Sequence, residues 1–421
     1  MKILNVAVHC GGGIGTTMKN FFDNDKDNQH TMACLNPDDP RSEEISIPVY
    51  YDLRNNIPLL NNLIIENDIV LLYWYNNPLY YEWLINNPLP PCRFIIWSQA
   101  NCLFLPYAIP SKLVDMCDRF IIDSHVTTES TDYEILTKKQ KNKFDMIWSS
   151  ADMTKFQNVK RVPHDTFNIG YAGTIDFSSK LHPDFIEMCS KINIPNAKFI
   201  ICSSGPDIDK LKNQVKEKGI EDKFLFTGRV DDLSVWFAQM DIFGYPLKPD
   251  HYGTCEQVLG EAMSAGVVPV VLNNPPERYI IDDDFNGVIT TYDEYALTIE
   301  ALYHDKSSMA RLSENAKKSA FNTYSVDTMI KKWNIEFVFE MLVPKIERKW
   351  FWSGSEIFKE SLGIHKNIFE GNDRMRIVDA YRKFSQFNSE SKGSIRQYAH
   401  VFPEDKQLKE WLEILNNVYK K

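Results

Sequence analysis

Residues 251–272 read HYGTCEQVLGEAMSAGVVPVVL, and this stretch decides the fold because it joins a helical pattern directly to a buried strand. Apolar residues recur at helical spacing through VLGEAMSA, and VVPVVL is a short continuous apolar run of the kind found in parallel sheets. Thr254 and Gln257 match a capping box, and Gly253 before them allows a sharp entry. The sequence therefore predicts a helix that begins at Thr254 or Cys255 and leads into a strand.

Two glutamates, Glu256 and Glu261, lie in this predicted helix. The helical step places them about 140° apart, so they do not face one site as the paired carboxylates of a glycosidase do. Glu256 falls in the first turn, where the helix dipole favours a carboxylate. Glu261 lies among apolar residues, where burying a carboxylate without a partner costs free energy. Residues 253–257 present unpaired backbone N–H groups after the carboxyl end of a predicted strand, where open α/β sheets bind ligands.

The alternation of apolar runs with helical segments extends along the chain in both directions. Further strands are predicted at 3–9, 68–74, 93–98, 119–124, 167–173, 198–204, 223–228 and 241–246. Helices are predicted at 181–191, 206–218, 231–239, 256–265, 293–304, 306–322 and 325–343. Strand–helix alternation in two halves indicates two α/β domains with parallel sheets.

Composition excludes several functional classes. The 421 residues carry a net charge of −10, which gives no electrostatic case for nucleic-acid binding. The apolar runs are too short for a membrane span, and the N-terminus lacks a signal-peptide pattern. The eight cysteines show neither CxxC nor zinc spacing, and no acidic pair is placed to hold a metal. We therefore expect a cytoplasmic protein with reduced cysteines and no metal.

The glycine-rich stretch HCGGGIGTT (9–17) follows the first predicted strand. Consecutive glycines let the backbone approach a ligand closely, and the helix behind them presents free N–H groups to an anion. The stretch lacks the lysine of a P-loop, and Thr16 stands where a dinucleotide fingerprint has its third glycine. Two interpretations stay open: a phosphate or sugar cradle formed by Gly12 and Gly13, and a tight strand–helix turn.

Residues 167–325 resemble the C-terminal domain of the family 4 retaining glycosyltransferases, which have the GT-B fold. The resemblance is carried by GYAGTIDFSSKLHPDFIEM (170–188), by residues 198–247 and by GEAMSAGVVPVV (260–271), while GGGIG resembles the glycine-rich loop of the N-terminal domain. It implies an α/β chain of two Rossmann-like domains whose parallel sheets face a cleft, with a helical C-terminal extension. The implied divisions are 1–160, 161–325 and 326–421.

The same resemblance implies transfer of a sugar, with retention of anomeric configuration, from a UDP- or GDP-linked donor to a hydroxyl acceptor. The implied acceptor is a glycan or a lipid-linked saccharide of polysaccharide biosynthesis, and the implied reaction needs no metal and no cofactor. It also implies peripheral contact with the inner face of the membrane. Two alternatives stay open: a catalytically inactive glycosyltransferase-like protein that only binds, and a sugar-nucleotide epimerase of the same fold.

The resemblance also implies roles for individual residues. Glu261 would bind the ribose hydroxyls, Lys180 would neutralise the leaving diphosphate, and the turn 253–257 would hold the diphosphate and the donor sugar. The implied substrate-binding residues are Gly12, Gly13, Thr174, Gly228, Arg229, Val230, Gly253, Thr254, Cys255, Gln257 and Glu261.

This chain departs from the family pattern at its most characteristic acid. The family's first glutamate lies eight residues before its second, and that position is Gly253 here, so Glu256, or else Asp250 on the preceding loop, is the expected stand-in. The family's arginine after the glycine turn is Thr174, and its N-domain histidine is not evident, so His251 and Lys248 are expected to compensate. The predicted catalytic residues are Lys180, Glu256 and His251.

Overall fold

The computed structural model describes residues 1–38, 45–150, 153–372, 374–383 and 393–419. The chain divides into two compact units, and the first combines Met1–Ile147 with Ile330–Lys421. The second is Trp148–Met329. Each unit has its own hydrophobic core and its own parallel sheet.

The first unit begins with a run of alternating strands and helices. Its strands are β1 (Lys2–Ala7), β2 (Gln29–Cys34), β3 (Val49–Tyr50), β4 (Ile69–Trp74), β5 (Leu89–Cys92), β6 (Phe94–Ser98), β7 (Arg119–Ile122) and β8 (Phe144–Met146). Its helices are α1 (Gly12–Asn24), α2 (Ile57–Glu66), α3 (Pro78–Asn86), α4 (Ser111–Met116), α5 (Thr131–Glu134) and α6 (Lys138–Lys141). The sheet order is β3-β2-β1-β4-β6-β7-β8, with every pairing parallel.

Local chemistry explains how several of these helices begin. The Asn56 side chain accepts the Leu59 N–H at the start of α2, and the Asn77 side chain accepts the Leu79 N–H at the start of α3. A proline stands in the first turn of each helix, where its missing N–H costs nothing. Helix α1 begins without a side-chain cap, directly behind Gly11.

The second unit repeats the alternation. Its strands are β9 (Phe167–Ala172), β10 (Ala197–Cys202), β11 (Phe224–Phe226), β12 (Ile242–Tyr245), β13 (Val268–Leu272) and β14 (Val288–Thr290). Its helices are α7 (Thr154–Gln157), α8 (Phe185–Ser190), α9 (Ile208–Glu217), α10 (Ser234–Phe237), α11 (Gln257–Ser264), α12 (Tyr295–His304) and α13 (Lys306–Tyr324). The parallel order β11-β10-β9-β12-β13-β14 reverses direction between β9 and β12.

The C-terminal segment returns to the first unit. Helix α14 (Val326–Glu340) begins in the second unit and ends in the first, and β15 (Ile346–Arg348) pairs antiparallel with β5. The α-helices described after it are α15 (Gly354–Glu360), α16 (Arg374–Lys383), α17 (Ile395–Val401) and α18 (Lys406–Tyr419). Phe358, Tyr398 and Trp411 from these helices are buried in the core of the first unit, so the extension is a packed part of that unit.

Every predicted strand has an observed counterpart, and the predicted α/β class with parallel sheets is confirmed. The unit boundaries differ from the divisions at 160/161 and 325/326. The second unit begins at Trp148, because Met153 and Phe156 are buried in its core. It ends at Met329, so α14 is shared between the two units.

Candidate functional site

The candidate site lies at the carboxyl ends of β9 and β12 in the second unit. These neighbours flank the point where the strand order reverses, which is where open α/β sheets bind ligands. The loop after β9 carries Lys180, and the loop after β12 carries His251 and Glu256. The structure thus brings the three predicted catalytic residues together.

Lys180 is positioned by backbone pairing between the two loops. Leu181 and Leu247 form an isolated antiparallel bridge, and the Lys248 N–H donates to the Lys180 carbonyl at 2.8 Å. The Lys180 ammonium group lies 3.1 Å from Glu256 Oε2 and 5.8 Å from the centre of the Tyr245 ring. Its side chain is 30% exposed.

Glu256 is a buried carboxylate held in an uncommon backbone conformation. Its φ and ψ are 32° and 66°, in the left-handed region, and such conformations cost about 1–3 kcal/mol and cluster at functional sites. The Tyr245 hydroxyl donates to Glu256 Oε2 at 2.5 Å, beside the Lys180 ion pair. Tyr245 in turn stacks on Tyr171 with ring centres 5.5 Å apart.

Gly253 leaves the space that the Glu256 carboxylate occupies. A Cβ added at residue 253 would overlap Glu256 Oε1 and would come within 3.1 Å of His251 Nδ1. The carboxylate of residue 256 therefore folds back to the place where a side chain on residue 253 would begin. That Glu256 stands in for the acid that the chain lacks at position 253 stays a prediction.

His251 links this carboxylate to a second one. The Gly253 N–H donates to His251 Nδ1 at 3.1 Å, and His251 Nε2 lies 3.0 Å from Glu277 Oε1 and 3.2 Å from Oε2. His251 Nδ1 is 3.8 Å from Glu256 Oε1. Both members of the His251–Glu277 pair are buried, so the site contains two buried carboxylates beside one histidine.

Electrostatic interactions within this cluster shift three pKa values. Burial raises the pKa of the Glu256 carboxyl, but Lys180, His251 and the Tyr245 hydroxyl outweigh burial and bring that pKa below its usual value. Burial lowers the pKa of Lys180 and that of His251, and the neighbouring carboxylates outweigh it. Glu256 raises the pKa of Lys180, and Glu277 raises the pKa of His251.

The predicted start of this helix at Thr254 or Cys255 is wrong. Helix α11 begins at Gln257 with Glu256 as its N-cap residue, and the Glu256 side chain makes no capping hydrogen bond. Thr254 and Cys255 are buried residues of the preceding turn, so there is no Thr254 capping box. Because Glu256 lies outside the helix, the angle of about 140° between the two glutamates does not apply.

The other predicted contacts of this unit lie on the same edge of the sheet. Glu261 is half-buried on α11, and Thr174 is exposed in the loop after β9, where its carbonyl accepts the Tyr171 hydroxyl at 3.1 Å. Gly228 follows β11 with a φ of 76°, and the next two residues are the exposed Arg229 and the half-buried Val230.

The first unit carries Gly12 and Gly13 at the start of α1, after the carboxyl end of β1. Both glycines are exposed, and a Cβ added to either would meet nothing within 4 Å. Gly12 has a φ of 69°, a conformation that glycine adopts easily. The turn is thus an open stretch of backbone.

Three residues of the cluster are not predicted from the sequence: Tyr171, Tyr245 and Glu277. The tyrosines lie inside apolar strand runs, where aromatic residues are ordinarily core residues. Glu277 lies in NNPPERY (273–279), a stretch typical of a turn, and the structure shows a short 3-10 helix there. The signal that could have identified Glu277 is its position after the carboxyl end of β13, the parallel strand next to β12.

The described part of the chain contains no group of three or more His, Cys, Asp or Glu side chains that could hold a metal ion. Each helix in that part is too short or too polar to span a bilayer.

Comparisons with known proteins show what the chain is similar to. Residues 152–319 match the model of the group 1 glycosyl transferases. An uncharacterized glycosyltransferase of Methanocaldococcus jannaschii is 26% identical over 194 residues, which are 45% of this chain and 49% of the relative. The chain thus spans about half the length of that relative.

Solved structures extend the similarity to both units. Anabaena HepE in complex with UDP-glucose matches with a TM-score of 0.62 and 14% identity, over 80% of this chain and 100% of HepE. Sucrose-phosphate synthase of Thermosynechococcus elongatus matches with a TM-score of 0.64 and 14% identity, over 80% of this chain and 98% of the synthase. The chain has the GT-B fold of these proteins, and the family match supports the group 1 glycosyltransferase superfamily.

Proposed function

We propose that this protein is a glycosyltransferase that moves a sugar from a nucleotide-diphosphate donor to a hydroxyl acceptor, with retention and without a metal or a cofactor. The observation that carries the proposal is the Lys180–Glu256 ion pair beside Tyr245, at the reversal point of the second sheet. It places a cation and an ionised carboxylate at the edge where a nucleotide ligand binds such a sheet.

The proposed role of each residue follows from its charge and its exposure. The partly exposed Lys180 takes the departing diphosphate, because a fixed cation there stabilises the charge that develops as the glycosidic bond breaks. Within the turn 253–257, residues 254–257 supply backbone N–H groups in front of α11 for the same phosphates, since the Gly253 N–H donates to His251. Glu256 faces the donor sugar, where its negative charge favours an oxocarbenium-like transition state.

The remaining contacts concern the nucleotide. Glu261 accepts the ribose hydroxyls, and residues 228–230 line the base, with Thr174 near the phosphates. The UDP-glucose bound to HepE makes UDP-sugars the first donors to test, with GDP-sugars next. The Gly12–Gly13 backbone of the first unit stays a predicted phosphate or sugar contact.

The transfer balances without a covalent enzyme intermediate. The bond between the anomeric carbon and the diphosphate oxygen breaks, and the acceptor oxygen bonds to that carbon from the same face. The acceptor proton passes to the departing phosphate oxygen. Lys180 and the turn amides hold that oxygen.

The acceptor is proposed to be a glycan or a lipid-linked saccharide. Nucleotide release tests the function: purified protein is given UDP- and GDP-sugars, with and without pools of oligosaccharide and polyprenyl-linked acceptors. We expect release that requires an acceptor and that Lys180→Ala reduces by about 100-fold. Binding without release would establish the inactive binding protein, and conversion of a donor without acceptor would establish the epimerase.

A further inference from the structure

Two buried cysteines are in contact beside the glycine turn of the first unit. The sulfur atoms of Cys10 and Cys34 are 2.9 Å apart, although the two residues are separated by 24 positions in the sequence. Both residues are fully buried, and both carry free thiols. A disulfide bond is about 2.0 Å long, so the two sulfur atoms need to approach by only about 0.9 Å to be joined.

The pairing of β1 with β2 holds the two thiols together. Cys34 is the last residue of β2 and lies opposite Ala7, the last residue of β1, while Cys10 follows shortly after Ala7. The two segments stay paired beyond this point, because the Leu35 N–H donates to the Ala7 carbonyl at 2.9 Å. The contact between the sulfur atoms is therefore fixed by the backbone on both sides.

The chain that follows each cysteine is exposed within a few residues, at Gly12 and Gly13 after Cys10 and at Asp38 after Cys34. Local opening of either segment would admit a molecule as small as hydrogen peroxide. Cys10 and burial raise the pKa of the Cys34 thiol, and the charge of Asp38 adds to the rise. Cys34 therefore keeps its proton and is a poor nucleophile, since the thiolate is the reactive form of cysteine.

We propose that Cys10 and Cys34 are a redox-sensitive pair, which a peroxide joins in a disulfide and a small thiol separates again. The peroxide oxidises Cys10 to a sulfenic acid and releases one water. The Cys34 sulfur then bonds to the Cys10 sulfur, the S–O bond breaks, and the Cys34 proton leaves with the hydroxyl group as a second water. Each sulfur atom gives up one electron, and the two oxygen atoms of the peroxide take them up.

The disulfide ties the glycine turn to the end of β2. Cys10 directly precedes Gly11, whose N–H donates to His9 Nδ1 at 3.1 Å. The Gly11 carbonyl accepts the Gly15 N–H at 3.3 Å in the first turn of α1. Oxidation thus restrains the backbone from which α1 begins, and it closes a loop between two residues that are 24 positions apart. A closed loop of this kind stabilises a fold mainly by restricting the unfolded chain.

Thiol trapping on the full chain tests this proposal. The folded, reduced protein is treated with hydrogen peroxide, catalase removes the peroxide, and N-ethylmaleimide alkylates the remaining thiols during denaturation. Peptide mass mapping should find Cys10 linked to Cys34, and dithiothreitol should reverse the link. The link should form at least about tenfold faster than the other six thiols are lost, because the second sulfur is already in contact. The oxidised protein should unfold about 5 °C above the reduced protein.

Cys117→Ala is the matched control, because Cys117 is also buried in the first unit but its thiol donates to the Val114 carbonyl at 3.4 Å. This variant should keep the link and the thermal shift. Cys34→Ala should lose both, and dimedone should then trap a sulfenic acid at Cys10.

Circular dichroism checks that the variants fold, and the mapping of the wild type decides the test if Cys34→Ala does not. The proposal is overturned if peroxide leaves Cys10 and Cys34 unlinked in the folded protein, or if other cysteines are lost as fast as these two. A link that leaves the unfolding temperature unchanged would overturn the restraint on the turn. No donor is needed, so the result is independent of sugar transfer.

Discussion

The two units both contain a glycine turn in front of a helix, but the turns differ in what fills them. In the first unit, Gly12 and Gly13 are exposed, and a Cβ added to either would meet nothing within 4 Å. In the second unit, the space beside Gly253 is taken by the Glu256 carboxylate, which is buried against Lys180 and Tyr245.

The difference shows that a glycine can serve two purposes at a ligand site. At Gly12 and Gly13 it exposes backbone N–H groups, and a substitution there acts on the ligand. At Gly253 it makes room for a functional group from elsewhere in the turn, and a substitution there acts on the charge cluster first. Each test below either separates the two turns or shows that they behave alike.

The largest effect is expected at Glu256. Glu256→Gln should lower kcat/KM by about 100- to 1,000-fold, because it removes the charge that faces the donor sugar and leaves Lys180 without its partner. Steady-state nucleotide release measures this loss. Asp250→Asn is the control, since Asp250 lies in the same loop but pairs with Lys248.

A relocated carboxylate sharpens the same test. Gly253→Glu and Glu256→Gly should each be nearly inactive, whereas the double variant moves the acid to the family's usual position and frees its space. We expect the double variant to exceed Glu256→Gly at least about tenfold, since contacting residues are not additive. A double variant no better than the worse single one would show that residue 256 has another role.

The next largest effect is expected at Glu261, on helix α11, which follows the turn 253–257. Glu261→Ala should raise the donor Kd about tenfold, because it removes a charged acceptor of the ribose hydroxyls. Calorimetric titration with the donor measures the change, and Glu256→Ala should raise the Kd less while losing more turnover. If only Glu256→Ala weakens binding, the two roles are reversed.

Alanine substitutions in the two turns should differ in how much they lower the stability of the protein. Gly253→Ala should lower the free energy of unfolding by about 1–2 kcal/mol, because its Cβ displaces the Glu256 carboxylate from Lys180 and Tyr245. Gly13→Ala should change it by less than about 0.5 kcal/mol, since its Cβ meets no atom. Urea unfolding measures both, and equal losses would show that the turns do not differ in this way.

The smallest effect is a pH dependence of stability at His251. Its pKa is raised in the folded protein by Glu277 and Glu256, so this stabilisation is fully present below the ordinary value of 6.5 and is lost as the pH rises through the folded pKa. The difference in unfolding free energy between wild type and His251→Gln should therefore shrink from pH 6 to alkaline pH. A difference that grows with pH would mean that Glu277 holds a neutral imidazole.

Predictability from the sequence followed the strength of the local pattern. Continuous apolar runs identified β4 and β13, because strands buried on both faces favour apolar residues. The strands β2 (QHTMAC) and β8 (FDM) carry polar residues and have no such run, so the sequence did not predict them.

The site was harder to predict because its geometry depends on one backbone conformation. Helical pattern and capping rules extended α11 back through Glu256, whereas the left-handed φ of that residue ends the helix at Gln257 and turns the carboxylate toward Lys180. Glu277 joins the cluster through packing between distant segments, which no local pattern encodes. The grouping of Lys180, His251 and Glu256 on one sheet edge was predictable, since each follows a parallel strand.

A crystal structure with the donor bound tests the central claim most directly, using the UDP- or GDP-sugar selected by nucleotide release. The account predicts the diphosphate within hydrogen-bond distance of the Lys180 ammonium group and of the backbone N–H groups of residues 254–257. It also predicts the ribose hydroxyls on Glu261. A nucleotide bound away from both Lys180 and Glu261 would contradict it.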